Sequence, residues 1–152
     1  YSGTVAGAIE GTILGIPSIA LSQAFGPTTR DNPSYVTAET HAPGVIRTLL
    51  GEGIPKGIVI NVNFPDRPPQ DVQGIAVTAQ GKRDQRLMRI DERKDGRGNA
   101  YYWIAFERRV FDTVPGSDLR ALDEGRISVT PLRVEQTDEP FMTRLAQVFE
   151  NA

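Results

Sequence analysis

Cysteine is absent from the 152 residues, which excludes disulfides and thiolate metal sites and leaves the redox compartment unreadable. Histidine occurs once, at His41, so a general acid or base of the ordinary imidazole kind has a single candidate. Beside Ala42-Pro43, a surface or helix-end role is the plainer account of that side chain, and no neighbouring Ser, Asp or Glu has the spacing of a triad. No apolar run reaches the roughly eighteen residues of a membrane span, and no basic start leads into a signal-like apolar stretch. The expected protein is therefore soluble and cytoplasmic. Charge of one sign is also missing: 17 Lys and Arg against 19 Asp and Glu give a formal net charge of −2. Nothing in that balance would hold nucleic acid or an anionic membrane over a broad surface, so neither is an expected partner. Finally, residue 1 is Tyr rather than Met, and the sequence reads as a piece of something longer.

What is present suits one globular domain over 1–152, with 39% hydrophobic residues to fill a core. Its organising stretch is the opening, Tyr1-Ser-Gly-Thr-Val-Ala-Gly-Ala-Ile-Glu-Gly-Thr-Ile-Leu-Gly15. Ser2 can cap a helix through its hydroxyl, Gly3 admits a close approach to the backbone, and Thr4 adds a second hydroxyl on the first turn. Free N–H groups at a helix start carry about half a positive charge in sum and suit a phosphate-sized anion. An ordinary capped helix accounts for the same residues. The helix body has little polar surface beyond Glu10 and Thr12, which predicts burial on most sides, a packing partner for Glu10, and close backbone contacts at Gly3, Gly7 and Gly11.

Gly15, Ile16 and Pro17 lead into a strand over 19–22, followed by a turn-rich loop over 23–33. A helix is expected over 34–50, kinked or broken near Ala42 by Pro43-Gly44. Ile58 to Phe64 has the β-branched content of a central, parallel strand, with Asn61 and Asn63 on one face satisfying nearby loop backbone. Gly74 to Thr78 reads as a further strand, and the αβαβ alternation implies a doubly wound sheet.

From Gln80 the character changes. Arg86 to Asp91 and Ala100 to Phe106 flank Asp95-Gly-Arg-Gly98, which predicts a hairpin arm within 80–110. Lys82 to Arg97 holds seven basic residues against four acidic, as an edge that resists unwanted pairing would. The same residues with Tyr101, Tyr102 and Trp103 leave open an RNA-binding arm. Ser117 caps a short helix over 118–124, with Asp118 stabilising its start. A strand over 126–134 follows, the whole of it or its second half placed near an edge or bulge by Pro131, and then an amphipathic terminal helix over 141–149.

Taken together and in order, Tyr1 to Gly11, Leu14 to Ala20, Asn61-Val-Asn-Phe-Pro65, Gly96 to Trp103 and Gly116 to Leu132 resemble SurE, a family of metal-dependent 5′-nucleotidases, over nearly the whole chain. The resemblance covers only the family's later portion. It implies a Rossmann-like three-layer α/β sheet truncated at the N-terminus, with a protruding hairpin arm and a C-terminal helix. It further implies hydrolysis of nucleoside 5′-monophosphates, with Ser2, Gly3 and Thr4 as ligands of the substrate phosphate. The family's metal ligands, an Asp-Asp pair, a Ser and an Asn, would lie upstream of Tyr1. No catalytic or metal-binding residue is therefore assigned within the chain, and the Mg or Mn ion would belong to the full-length parent. The arm implies a homodimer or homotetramer. A catalytically inactive assembly module is the alternative.

Overall fold

The computed structural model describes residues 2–26, 29, 31–82, 88–106 and 113–150. Its helices are α1 (Gly3–Ile13), α2 (Val36–Glu52), α3 (Asp118–Asp123) and α4 (Glu139–Glu150). Its strands are β1 (Ser18–Gln23), β2 (Ile58–Phe64), β3 (Ile75–Val77), β4 (Met88–Lys94), β5 (Ala100–Phe106) and β6 (Ile127–Arg133). Four strands form a sheet in the order β1-β2-β6-β3, and β4 with β5 forms a separate two-stranded ribbon.

The main sheet is mixed rather than parallel throughout. β1 and β2 run parallel, β2 and β6 antiparallel, and β3 is parallel to β6. β2 takes the central place its Ile-Val-Ile content suggests, but its second neighbour is the late strand β6. Pro131 reconciles a proline with an interior strand, because β3 is in register with β6 only from Ile127 to Val129. Beyond that point the side of β6 that lost a donor has no strand to pair with among the described residues.

One face of the sheet carries the apolar core. Ile60, Val62 and Phe64 of β2 and Ile127 and Val129 of β6 cluster with Ala42 and Val45 of α2. Phe64, Val62 and Ile127 are almost wholly out of water, worth about 1.5–3 kcal/mol each by area. That burial explains why α2 runs unbroken from Val36 to Glu52 through Pro43, against the expected break near Ala42. Pro43 forfeits one helical hydrogen bond. The residues on either side, Ala42 and Val45, are held against β2.

α1 corrects another expectation: none of its residues is buried, and Ile13 and Leu14 at its end are 62% and 76% exposed. Its apolar content reflects one contact face, along Val5, Ala8 and Ile9, rather than burial all round. Glu10 is exposed and needs no partner on a strand. Only Gly11 of the three glycines meets a neighbour, since a Cβ there would lie 2.5 Å from Ser18 Oγ, whereas Gly3 and Gly7 face open space.

The hairpin of β4 and β5 has its turn where the glycines suggest. Asp95 Oδ1 accepts from the N–H groups of Arg97 and Asn99 at 2.8 and 2.9 Å, and Gly98 takes the positive φ of 85°. These backbone bonds, those of Asn99 first, hold the Asp95 carboxyl below its ordinary 3.8. Arg86, at the expected start of the arm, lies outside the described residues. α4 begins two residues before its expected start, and its apolar positions Phe141, Met142, Leu145, Val148 and Phe149 are exposed. No helix among the described residues is long and apolar enough to cross a membrane.

Candidate functional site

Ser2 adopts the extended conformation of an N-cap, with φ −131° and ψ 117°, and its Oγ accepts from Val5 N at 3.3 Å. Ala6 N donates to Ser2 O at 2.9 Å. The N–H groups of Gly3 and Thr4 have no acceptor among the described residues. No acidic side chain occupies the first turn to compete for them. The expected phosphate ligands Ser2, Gly3 and Thr4 are thus exposed on one helical turn, with two donors free.

The fold places this turn. Ser18 Oγ sits beneath Gly11, and Ile16 N donates to Gly11 O at 2.9 Å, so the C-terminal end of α1 lies over the start of β1. α1 folds back along β1 and β2, which puts its N-terminal end at their carboxyl ends. The loop after β1 is tied to the same end. Asp66, two residues past β2, accepts through Oδ2 from Gly26 N at 2.5 Å and from Thr29 Oγ1 at 2.8 Å. Gln23 Oε1 accepts from Ala38 N at 2.9 Å, fastening the end of β1 to the first turn of α2. Phe25 stands edge-on to Tyr35, ring centroids 5.3 Å apart. The clamp by Asp66 is not legible in sequence beyond its place after Pro65, because its partners are forty and thirty-seven residues away.

Other candidates fall elsewhere. His41 belongs to α2, on the opposite face of the sheet, and its Nε2 lies 3.0 Å from Pro69 O. That geometry fixes the proton on Nε2 and makes His41 a tether for the turn at Pro69–Asp71. Asn61 and Asn63 do share a face, but neither side chain makes a hydrogen bond among the described residues, contrary to the expected service to loop backbone. Asp118 Oδ1 accepts from Leu119 N at 2.8 Å, as a helix-start residue does, and also from Gly81 N at 2.7 Å. That second bond fastens the chain leaving β3. Trp103 on the hairpin lies under the Arg93 guanidinium at 5.7 Å and is 55% exposed. Among the described residues no three His, Asp or Glu side chains converge as a metal site would require.

A helix start with free donors, set over the carboxyl ends of strands in a mixed α/β sheet, defines a Rossmann-like α/β fold. Comparison with known proteins specifies the group. The family model for Survival protein SurE matches residues 1–87. The 5′-nucleotidase SurE of Azorhizobium caulinodans is 87% identical over 150 residues, covering 99% of this chain and 59% of that protein. The 5′-nucleotidase SurE of Methylorubrum extorquens is 59% identical over 149 residues, covering 98% and 59%. The crystal structure of SurE protein from Aquifex aeolicus superposes with a TM-score of 0.76 at 39% identity, over 97% of this chain and 58% of that one. The chain belongs to the SurE family. It spans somewhat under two thirds of the length of these relatives.

Proposed function

We propose that this chain carries the phosphate-holding and assembly portion of a 5′-nucleotidase acting on nucleoside 5′-monophosphates. The observation that carries the reading is the first turn of α1, where the free N–H groups of Gly3 and Thr4 stand beside the Ser2 cap. Its likeness to the 5′-nucleotidase SurE of Azorhizobium caulinodans, 87% identical, supports the reaction class. In hydrolysis of a phosphate monoester, water oxygen bonds to phosphorus, the ester oxygen leaves with a proton, and negative charge gathers on the remaining phosphate oxygens. Donors fixed in the protein stabilise that charge without reorganising, and the helix start adds its partial positive charge.

The described residues do not supply a ligand set for a divalent ion. The Mg or Mn ion that the family resemblance implies takes its ligands from the Asp-Asp, Ser and Asn positions of that resemblance. No step of the reaction is assigned to a metal held by these residues. We place the protein in the cytoplasm. Its partner is a second copy of itself, met through the hairpin, where Ile90, Tyr102, Trp103 and Ile104 are each more than half exposed.

The test is phosphate release from nucleoside 5′-monophosphates by the family-length protein, with and without chelator. Turnover that stops with EDTA and returns with Mg or Mn is expected. Turnover indifferent to chelation contradicts the proposal.

A further inference from the structure

We infer that Asn63, with Ser22 beside it, is a specificity residue that binds the hydroxyl-bearing alcohol portion of the phosphate monoester. The inference rests on the phosphate reading of the α1 start and names what lies next to that phosphate.

Three observations converge on these two side chains. The first is which face they occupy. The contact of Gly11 with Ser18 puts α1 over the Ser18, Ala20 and Ser22 face of β1. Register carries that face across the sheet, because Ala20 pairs with Asn61 and Asn61 with Thr130, while Ser22 pairs with Asn63 and Asn63 with Ser128. The intervening residues Ile60, Val62 and Phe64 point the other way, into the core beneath α2.

The second is level along the strands. From Gly11 back to Ser2 the helix rises about 14 Å, at about 1.5 Å for each residue. From Ser18 to Ser22 the strand advances about 13 Å, at about 3.3 Å for each residue. The start of α1 therefore stands at the height of Ser22, and Asn63 is the neighbouring position one strand spacing away, about 4.8 Å.

The third is unused hydrogen-bonding capacity. Further along the same row the hydroxyls are spent on one another: Thr78 Oγ1 lies 2.9 Å from Ser128 Oγ and 2.7 Å from Thr130 Oγ1, all three buried. Ser22 and Asn63 are half-buried, yet their side chains make no hydrogen bond among the described residues. Phosphate oxygens only accept, and the helix start already offers donors for them. An amide and a hydroxyl side by side both donate and accept, which matches a sugar hydroxyl, itself donor and acceptor. Asn61 lies one step deeper, opposite Ala20, and is not part of the inference.

The test uses the family-length protein with three substrates: a nucleoside 5′-monophosphate, its 2′,3′-dideoxy counterpart and phenyl phosphate. Removing the hydroxyls from the substrate is expected to lower kcat/KM about five- to tenfold, the scale of one or two neutral hydrogen bonds. Asn63→Leu should lower kcat/KM by a similar factor for the hydroxylated nucleotide and leave the dideoxy nucleotide and phenyl phosphate unchanged. Asn63→Ser should restore part of the loss. A variant that slows all three substrates alike, or none of them, overturns the inference while phosphate release by the unsubstituted protein stands. Equal rates for the ribo- and dideoxynucleotide in the unsubstituted protein overturn it without any variant. Absence of phosphate release from every substrate overturns the underlying phosphate reading, and this inference with it.

Discussion

Gly7 and Gly11 occupy the same helix four residues apart, and the packing around them makes opposite predictions. A methyl group at Gly7 meets nothing within 4 Å and removes the entropic cost of glycine in a helix, so Gly7→Ala should stabilise by about 0.5–1 kcal/mol. At Gly11 the same methyl group would lie 2.5 Å from Ser18 Oγ, and Gly11→Ala should destabilise by about 1–3 kcal/mol. Thermal melts of both variants check the pair, and Ser18→Ala should relieve part of the Gly11→Ala defect. Sequence spacing alone reads these glycines as equivalent. The Ser2 cap was legible because capping chemistry is local, whereas the use of Gly11 depends on where β1 turns back beneath it. Asn63 is the stronger case: its identity and strand parity are plain in the sequence. The row joining it to Ser22 and Ser128 exists only once the strands are in register.

At the scale of elements, local signals succeeded and competing ones decided the failures. The hairpin turn is written into Asp95-Gly-Arg-Gly98-Asn, and the structure builds it with Asp95 bonded to Arg97 and Asn99. Because those bonds depress the Asp95 carboxyl, their contribution is fully present above its ordinary 3.8 and declines as pH falls through the lower folded value. An NMR titration should therefore show the Asp95 carboxyl with a midpoint below 3.8, with the Arg97 and Asn99 amides shifting in step. A midpoint at or above 3.8 would remove the carboxylate from the account of the turn. In α2 the proline does not break the helix, since Ala42 and Val45 hold it against β2 around Pro43. In β6 the proline signal fits the strand's second half, since Pro131 lies past the end of the β3 pairing. The apolar periodicity of α4 marked a helix correctly, but periodicity carries no information about what covers its face.

For the whole molecule, the alternation of helices and strands pointed to a Rossmann-like sheet, and the mixed order β1-β2-β6-β3 is a variation on it. Sequence could not supply that order, because the pairing of β2 with β6 joins residues about seventy positions apart. The order matters for the proposed function: it sets the α1 start over the carboxyl ends of β1 and β2, where we propose that its donors hold phosphate. The central claim is then that backbone N–H groups at the start of α1 hold the substrate phosphate, and one substitution isolates it. Gly3 is the first helical residue, where proline is well tolerated, and the extended Ser2 before it has the conformation proline requires of its predecessor. A Cβ at Gly3 meets nothing within 4 Å. Gly3→Pro therefore deletes one donor while keeping the helix, and Gly3→Ala controls for added bulk. Measured in the family-length protein, Gly3→Pro should melt like Gly3→Ala yet show kcat/KM for a nucleoside 5′-monophosphate lower by about tenfold or more, the loss of one hydrogen bond to a charged group. Equal kcat/KM for the two variants would contradict the account.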